Sequence, residues 1–179
     1  LDINQQKFFD RTKSTVKGGL LLYNWTGQNE LSKHLFFGDG PNEINKSYAY
    51  HFDARLVAEY FKEIALSRGV NWVDGEVTKV NNEGDSITNI ELKDSSLINL
   101  DFVFDCSGFA RVLIGPMGGG WKSYEEYLPT NSAIPYIHQY EVGETPKLET
   151  LSWAMPNGWM WQIPLQNRWG CGYIFDKKL

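Results

Sequence analysis

Trp159 and Trp161 stand two residues apart in the string Gly158-Trp159-Met160-Trp161-Gln162-Ile163-Pro164. Side chains alternate along an extended segment, so residues i and i+2 share a face. The spacing predicts two indoles side by side, followed by Ile163 and ended by Pro164, which cannot donate a ladder hydrogen bond. Such a wall either closes a core or screens a reactive pocket from bulky molecules, and aromatic side chains more often do the former. The second stretch with chemical content is Asp101-Phe102-Val103-Phe104-Asp105-Cys106-Ser107-Gly108-Phe109. A strand that delivers the chain to Ser107-Gly108 lets backbone approach a bound molecule closely, because glycine has no Cβ. The plainer alternative is a sheet strand followed by an ordinary turn.

Other chemistry is sparsely represented. His34, His51 and His138 are the only histidines, and no carboxylate pattern around them suggests a triad or a metal site. Cys106 and Cys171 are too far apart for a metal spacing or a dense disulfide framework. Both lie in apolar strand-like runs and are expected to be reduced core residues of a cytoplasmic protein. The formal net charge is −5 with no basic run, which argues against a nucleic-acid partner. The longest apolar runs are too short to span a bilayer, and no signal peptide is expected. Asn24-Trp25-Thr26 and Asn45-Lys46-Ser47 match the glycosylation triplet without any sign of secretion. Gly118-Gly119-Gly120 reads as a flexible connection, although such a run can also cradle an anion. Glu125-Glu126 reads as a solvated face.

The elements that must carry these residues follow from periodicity. The chain has 179 residues, among them 7 Trp, 9 Tyr and 10 Phe, which favours a packed β-containing protein or an aromatic-lined pocket. Residues 5–17 read as a short helix, Leu20 to Trp25 as a buried strand and 26–49 as a long loop. Asp53 is a good N-cap for a helix whose stripe is Leu56, Val57, Tyr60, Phe61, Ile64 and Ala65, with Arg68 in its last turn and Gly69 after it. Strands are expected at 70–73, 76–80, 87–92 and 97–100, the group forming a β-meander, with a further strand at 101–105. After the glycine run, strands are expected at 133–141, 148–155, 159–163 and 169–175, in a large antiparallel sheet. Helices and strands in this order describe an α+β arrangement.

In order and spacing, Tyr50-His51-Phe52-Asp53, Gly69-Val70, Gly75-Glu76-Val77, the Asp105-Cys106-Ser107-Gly108-Phe109 strand end, Trp121, Tyr127-Leu128-Pro129, Ala154-Met155, the Trp-x-Trp-x-Ile-Pro string and Gly170-Cys171-Gly172-Tyr173-Ile174-Phe175 resemble the middle section of flavin-dependent tryptophan halogenases. Phe8 to Lys17 and Asn24-Trp25 resemble the family as well. The match runs along nearly the whole chain, which covers less than half of such an enzyme. The resemblance implies an α+β / α/β fold: part of a two-dinucleotide-fold FAD module with its β-meander, joined to an antiparallel substrate-side sheet. It implies three stretches: 1–49 on the substrate side, 50–115 in the FAD module, and 116–179 carrying the tryptophan motif.

For the sites, the resemblance implies that Val77, Asp105, Ser107 and Gly108 serve FAD. Trp159, Trp161, Ile163 and Pro164 would form a gatekeeping wall with no acid or base among them, and no metal is implied. The implied reaction starts from FADH2 supplied by a separate flavin reductase, with halide as co-substrate. Oxygen and halide give hypohalous acid, which halogenates an electron-rich aromatic such as tryptophan or another indole. The G-x-G-x-x-G fingerprint and the family's lysine fall upstream of the matched stretch and its glutamate downstream. The polypeptide alone is therefore expected neither to hold FAD tightly nor to halogenate. A homodimer is compatible with the resemblance.

Two other readings fit parts of the same residues. An FAD-dependent aromatic monooxygenase or reductase would share the architecture but is not expected to share Trp-x-Trp-x-Ile-Pro. A non-enzymatic aromatic-rich binding module, for carbohydrate for example, would explain the tryptophans by stacking and should show several rings on one exposed face. A chain retaining only a structural role is the third.

Overall fold

The computed structural model describes residues 3–37 and 48–178. Asn45-Lys46-Ser47 and most of the expected loop's second half lie outside them. The described residues divide into two compact units, one made of Leu1–Gly69 with Tyr124–Leu179 and the other of Val70–Ser123. These boundaries follow compactness and cut across the three sequential stretches of the sequence reading.

The first unit is built on a six-stranded sheet ordered β3-β2-β9-β10-β11-β8. Its strands are β2 (Gly19–Tyr23), β3 (Leu31–Phe36), β8 (Ser132–His138), β9 (Glu149–Met155), β10 (Gly158–Pro164) and β11 (Trp169–Phe175). The four strands expected to form an antiparallel sheet, β8 to β11, pair antiparallel throughout, and the one parallel pairing is that of β2, which joins the same sheet beside β9. A parallel neighbour demands a long connection, and here more than a hundred residues of sequence separate the two partners. The expected strands at 133–141, 148–155, 159–163 and 169–175 are all present, with ends shifted by up to three residues.

The loop expected over 26–49 contains a strand, β3. Its polar positions, the exposed Lys33 and the half-buried Ser32 and His34, conceal it in a hydropathy reading, as suits a sheet edge. The helix expected over 5–17 is shorter: α1 spans Gln5–Thr12. Asn4 caps it by accepting from Lys7 N at 2.9 Å. It ends where the Thr12 hydroxyl turns back to Phe8 O at 2.6 Å and Lys13 takes a left-handed φ of 53°. The chain then forms β1 (Thr15–Lys17), which pairs with β4 (Ala49–His51). The helix expected after Asp53 is α2 (Ala54–Ser67), with Asp53 Oδ1 accepting from Arg55 N and Leu56 N. Gly69 follows with φ 85°. Phe8 and Phe9 on α1, Tyr50 on β4, and Tyr60 and Phe61 on α2 meet with ring centroids 5.4–6.4 Å apart. Each such pair adds roughly 0.5–1.5 kcal/mol beyond its area burial.

The second unit carries the meander β5 (Val77–Glu83), β6 (Ser86–Leu92) and β7 (Leu97–Asn99). Two expected strands are not formed. Residues 70–73 and 101–105 are irregular, and Val70, Trp72 and Val73 are exposed. The last ladder-like bond runs from Leu100 N to Thr88 O, and beyond it no described strand offers a partner. Phe102 and Phe104 pair edge to face at 5.1 Å yet stay 77% and 81% exposed. The apolar run that suggests a strand is real, but a ladder needs two sides.

Candidate functional site

The two indoles stand side by side on one face of β10, with centroids 6.1 Å apart and planes inclined by 59°. Both are half-buried. Trp159 lies between Ala154 and Ile174, and Trp161 between Ser152 and Gly172, so Trp161 has a small residue on each side. A Cβ at Gly172 would fall closer than 3.0 Å to Cζ2, Cη2 and Cε2 of Trp161, because the indole lies over that glycine. Ile163 continues the same face by alternation. Pro164 does not: it points to the opposite face and is fully buried. It therefore ends the strand without forming part of the wall surface, which corrects its grouping with Trp159, Trp161 and Ile163.

The strand separates two concavities. On the wall face, a groove of about 440 Å³ runs beside Trp161 and Ile163, between Pro135, Ile137, Leu165 and the start of α2. On the other face, a cleft of about 840 Å³ is lined by Tyr23, Leu151, Trp153, Gln162 and Trp169 and by the segment from Glu141 to Lys147. Odd positions of β10 face the first and Gln162 faces the second.

The turn after β10 is tied down at every residue but one. Thr15 Oγ1 donates to Pro164 O at 2.8 Å and Tyr140 OH to Leu165 O at 2.7 Å. Gln166 Nε2 donates to Ser14 O at 2.9 Å and Phe9 O at 3.2 Å. Arg168 reaches Asp53 Oδ2 at 2.7 Å. Burial pushes the Asp53 carboxyl up, but the Arg168 guanidinium and the two helix N–H groups outweigh it and hold the group below its ordinary value.

His51, on β4, is also on the wall-face side. Its Nε2 lies 2.8 Å from Thr150 Oγ1 and its Nδ1 is buried without a hydrogen-bond partner. Burial, aided by the Lys17 charge, pushes its pKa down to about 4, so the ring is neutral at physiological pH. His34 pairs with Glu149 at 3.1 Å. His138 is exposed beside the 840 Å³ cleft. No group of three or more metal-ligating side chains occurs among the described residues.

The residues expected to serve FAD lie in the second unit. Asp105 is spent internally: Oδ1 accepts from Ser107 N at 3.0 Å and Ser107 Oγ at 2.5 Å, and Oδ2 accepts from Leu113 N and Ile114 N at 3.0 Å. These bonds, the Ser107 hydroxyl first, hold its carboxyl well below the usual carboxylate range. Ser107 Oγ also accepts from Val112 N at 2.8 Å. Together they shape the turn from Ser107 to Ile114, which contains a short 3-10 turn at Gly108–Ala110. Gly108 has φ 62°, and a Cβ there would meet nothing within 4 Å, so its backbone faces open space. Val77 begins β5, an edge strand of the meander. Lys93 N donates to Glu76 O, so by alternation the Val77 amide and carbonyl point away from β6.

The two cysteines part company. Cys171 is buried, which pushes its thiol up, whereas Cys106 is exposed and is not the core residue expected. No helix among the described residues is long and apolar enough to cross a membrane. The signal that reasoning along the sequence missed is Gly172, whose partner Trp161 becomes visible only once β10 and β11 are in register.

The tryptophan halogenase family model matches residues 39–179. The chain is 31% identical over 172 residues to the tryptophan 6-halogenase of Streptomyces toxytricini, which covers 93% of this chain and 32% of that enzyme. It is 30% identical over 144 residues to the tryptophan 7-halogenase of Lentzea aerocolonigenes, covering 78% and 27%. The chain spans about a third of the length of such curated relatives. Among solved structures, a flavin-dependent halogenase from Brevundimonas sp. BAL3 superposes with a TM-score of 0.86 at 21% identity, over 98% of this chain and 46% of that one. The S. toxytricini enzyme superposes at 0.85 with 22% identity, over 99% and 47%. These likenesses show a shared fold, and with the match over residues 39–179 the chain belongs to the tryptophan halogenase family.

Proposed function

We propose that the chain is the section of an FADH2-dependent halogenase that carries its flavin-side turn and the barrier between oxidant and aromatic substrate. The observation that carries this reading is β10, which presents Trp159 and Trp161 to one face and separates two concavities. The residues of the second unit fit a flavin: open space over Gly108, an outward backbone at Val77, and a Ser107–Ile114 turn held in shape by Asp105. On this reading Val77, Ser107 and Gly108 hold FAD, while Asp105 positions the turn without touching the cofactor. Bound reduced FAD supplies the activation of oxygen that turns halide into hypohalous acid.

Hypohalous acid attacks electron-rich rings indiscriminately, so it must form away from the substrate and from bulk water. Trp159 and Trp161 contribute by bulk. Two fused rings packed at 6.1 Å leave no room for a third ring to pass between them, and their anchored turn keeps them from yielding. Ile163 extends the apolar surface. The lysine and glutamate of the family lie in parts of the enzyme outside this chain, as does most of the grip on the substrate. The full enzyme is read as cytoplasmic, with a separate flavin reductase as its source of FADH2, halide held by backbone amides near the flavin, and an electron-rich aromatic such as tryptophan or another indole as substrate.

The test is the full-length protein with reduced FAD, oxygen, bromide and an indole substrate, read by mass spectrometry. A product with the bromine isotope doublet supports the reading. Hydroxylated product without brominated product overturns it in favour of a monooxygenase.

A further inference from the structure

We infer that Gly172 is a positioning residue for the barrier: by lacking a side chain it lets the Trp161 indole lie flat across β11, and that pose keeps the wall shut. The inference rests on the barrier reading and adds the residue that sets the barrier's geometry. A tryptophan on a strand would ordinarily stand away from the sheet. Here the six-membered part of the indole occupies the space that a Cβ on the neighbouring strand would fill. On its other side Trp161 faces Ser152, so β11 is the side with room. In this pose the ring stands 6.1 Å from that of Trp159, centroid to centroid, with the planes inclined by 59°, and also borders the groove lined by Pro135 and Ile137.

Gly170, two residues earlier on the same strand and face, is the internal contrast. A Cβ there would meet its nearest neighbours at 3.6–4.0 Å, ordinary van der Waals contact. Backbone demand does not explain the difference, because neither glycine has a positive φ. Gly172 is set apart by what lies above it.

The two indoles are close enough for their electronic transitions to couple, which gives a paired positive and negative band in far-ultraviolet circular dichroism. Trp159 and Trp161 are in ring contact, so the part of this signal that Trp161→Ala removes reports the pose of Trp161. The experiment compares Gly172→Ala, Gly170→Ala, Trp161→Ala and the double variant Trp161→Ala/Gly172→Ala in the full-length enzyme. Couplet, melting temperature and hydrogen peroxide released per flavin reoxidised are measured for each. Gly172→Ala is expected to weaken or invert the couplet and raise peroxide release severalfold, while Gly170→Ala keeps the parental couplet. In the Trp161→Ala background, Gly172→Ala is expected to add no further leakage.

An unchanged couplet in Gly172→Ala overturns the inference. An altered couplet with parental leakage overturns the barrier reading and with it the functional half of the inference. If Gly172→Ala fails to fold, the double variant decides. Its folding supports a clash with the indole, and its failure beside a folded Trp161→Ala refutes one.

Discussion

Arg168 closes on Asp53 at 2.7 Å, joining the turn behind the tryptophan strand to the N-cap of α2. Both side chains are about one-fifth exposed, so the pair is partly shielded from water. Asp53 serves two structures at once, with one oxygen on the helix amides and the other on the guanidinium. The start of α2 and the turn after β10 are thereby fixed to each other within one unit.

Removing the arginine leaves a shielded carboxylate with only its cap bonds. Arg168→Met is expected to lower stability by about 2 kcal/mol, between the figures for exposed and buried pairs. Asp53→Asn keeps an acceptor for the cap but loses the ion pair, so it should cost less. Urea unfolding of the two single variants and the double variant checks this, with strong non-additivity expected.

The neutral, buried His51 makes the fold sensitive to acid. The folded pKa is near 4 against an unfolded value near 6.5. Between those limits the unfolded chain binds more protons, so stability rises with pH across the window and is fully present above it. The loss on going from pH 7 to below pH 4 is about 3 kcal/mol from this residue. His51→Gln, which retains a hydrogen-bonding group for Thr150, should flatten the pH dependence of the melting temperature between pH 4 and 6.5. An equally steep dependence in the variant would assign it elsewhere.

Asp105 is expected to act on flavin binding through the turn it organises. Asp105→Ala frees the amides of Ser107, Leu113 and Ile114. FAD affinity of the full-length enzyme is expected to fall by about tenfold. Asp105→Asn, which keeps an acceptor oxygen, should lie between this variant and the parent. Flavin fluorescence titration reads both, and parental affinity in Asp105→Ala would mean that the turn is not part of the flavin site.

The legible parts of this protein are those whose signal is local. Asp53 announces α2 because capping and the apolar stripe are both written within one helix. The hairpin of β10 and β11 is announced by two aromatic runs around a polar turn. Asp101 to Asp105 carries the short apolar run of a strand, but strand formation depends on a neighbour that no local pattern specifies. β3 was hidden for the converse reason, since Ser32, Lys33 and His34 gain their order from pairing with β2. Pro164 belongs to the motif in sequence and to the opposite face in space, which strict alternation would have shown. Gly172 is the least legible, because its reason for being glycine sits on another strand.

The central claim is that Trp161 blocks contact between oxidant and substrate, and one ratio measures it. In the full-length enzyme carrying Trp161→Ala, halogenated product and hydrogen peroxide are quantified per flavin reoxidised, alongside the melting temperature. Truncating a half-buried indole is expected to cost about 2 kcal/mol of stability. Peroxide per turnover is expected to rise severalfold while the variant remains folded. A folded variant with parental coupling and no extra peroxide would contradict the account and leave the two tryptophans as core residues.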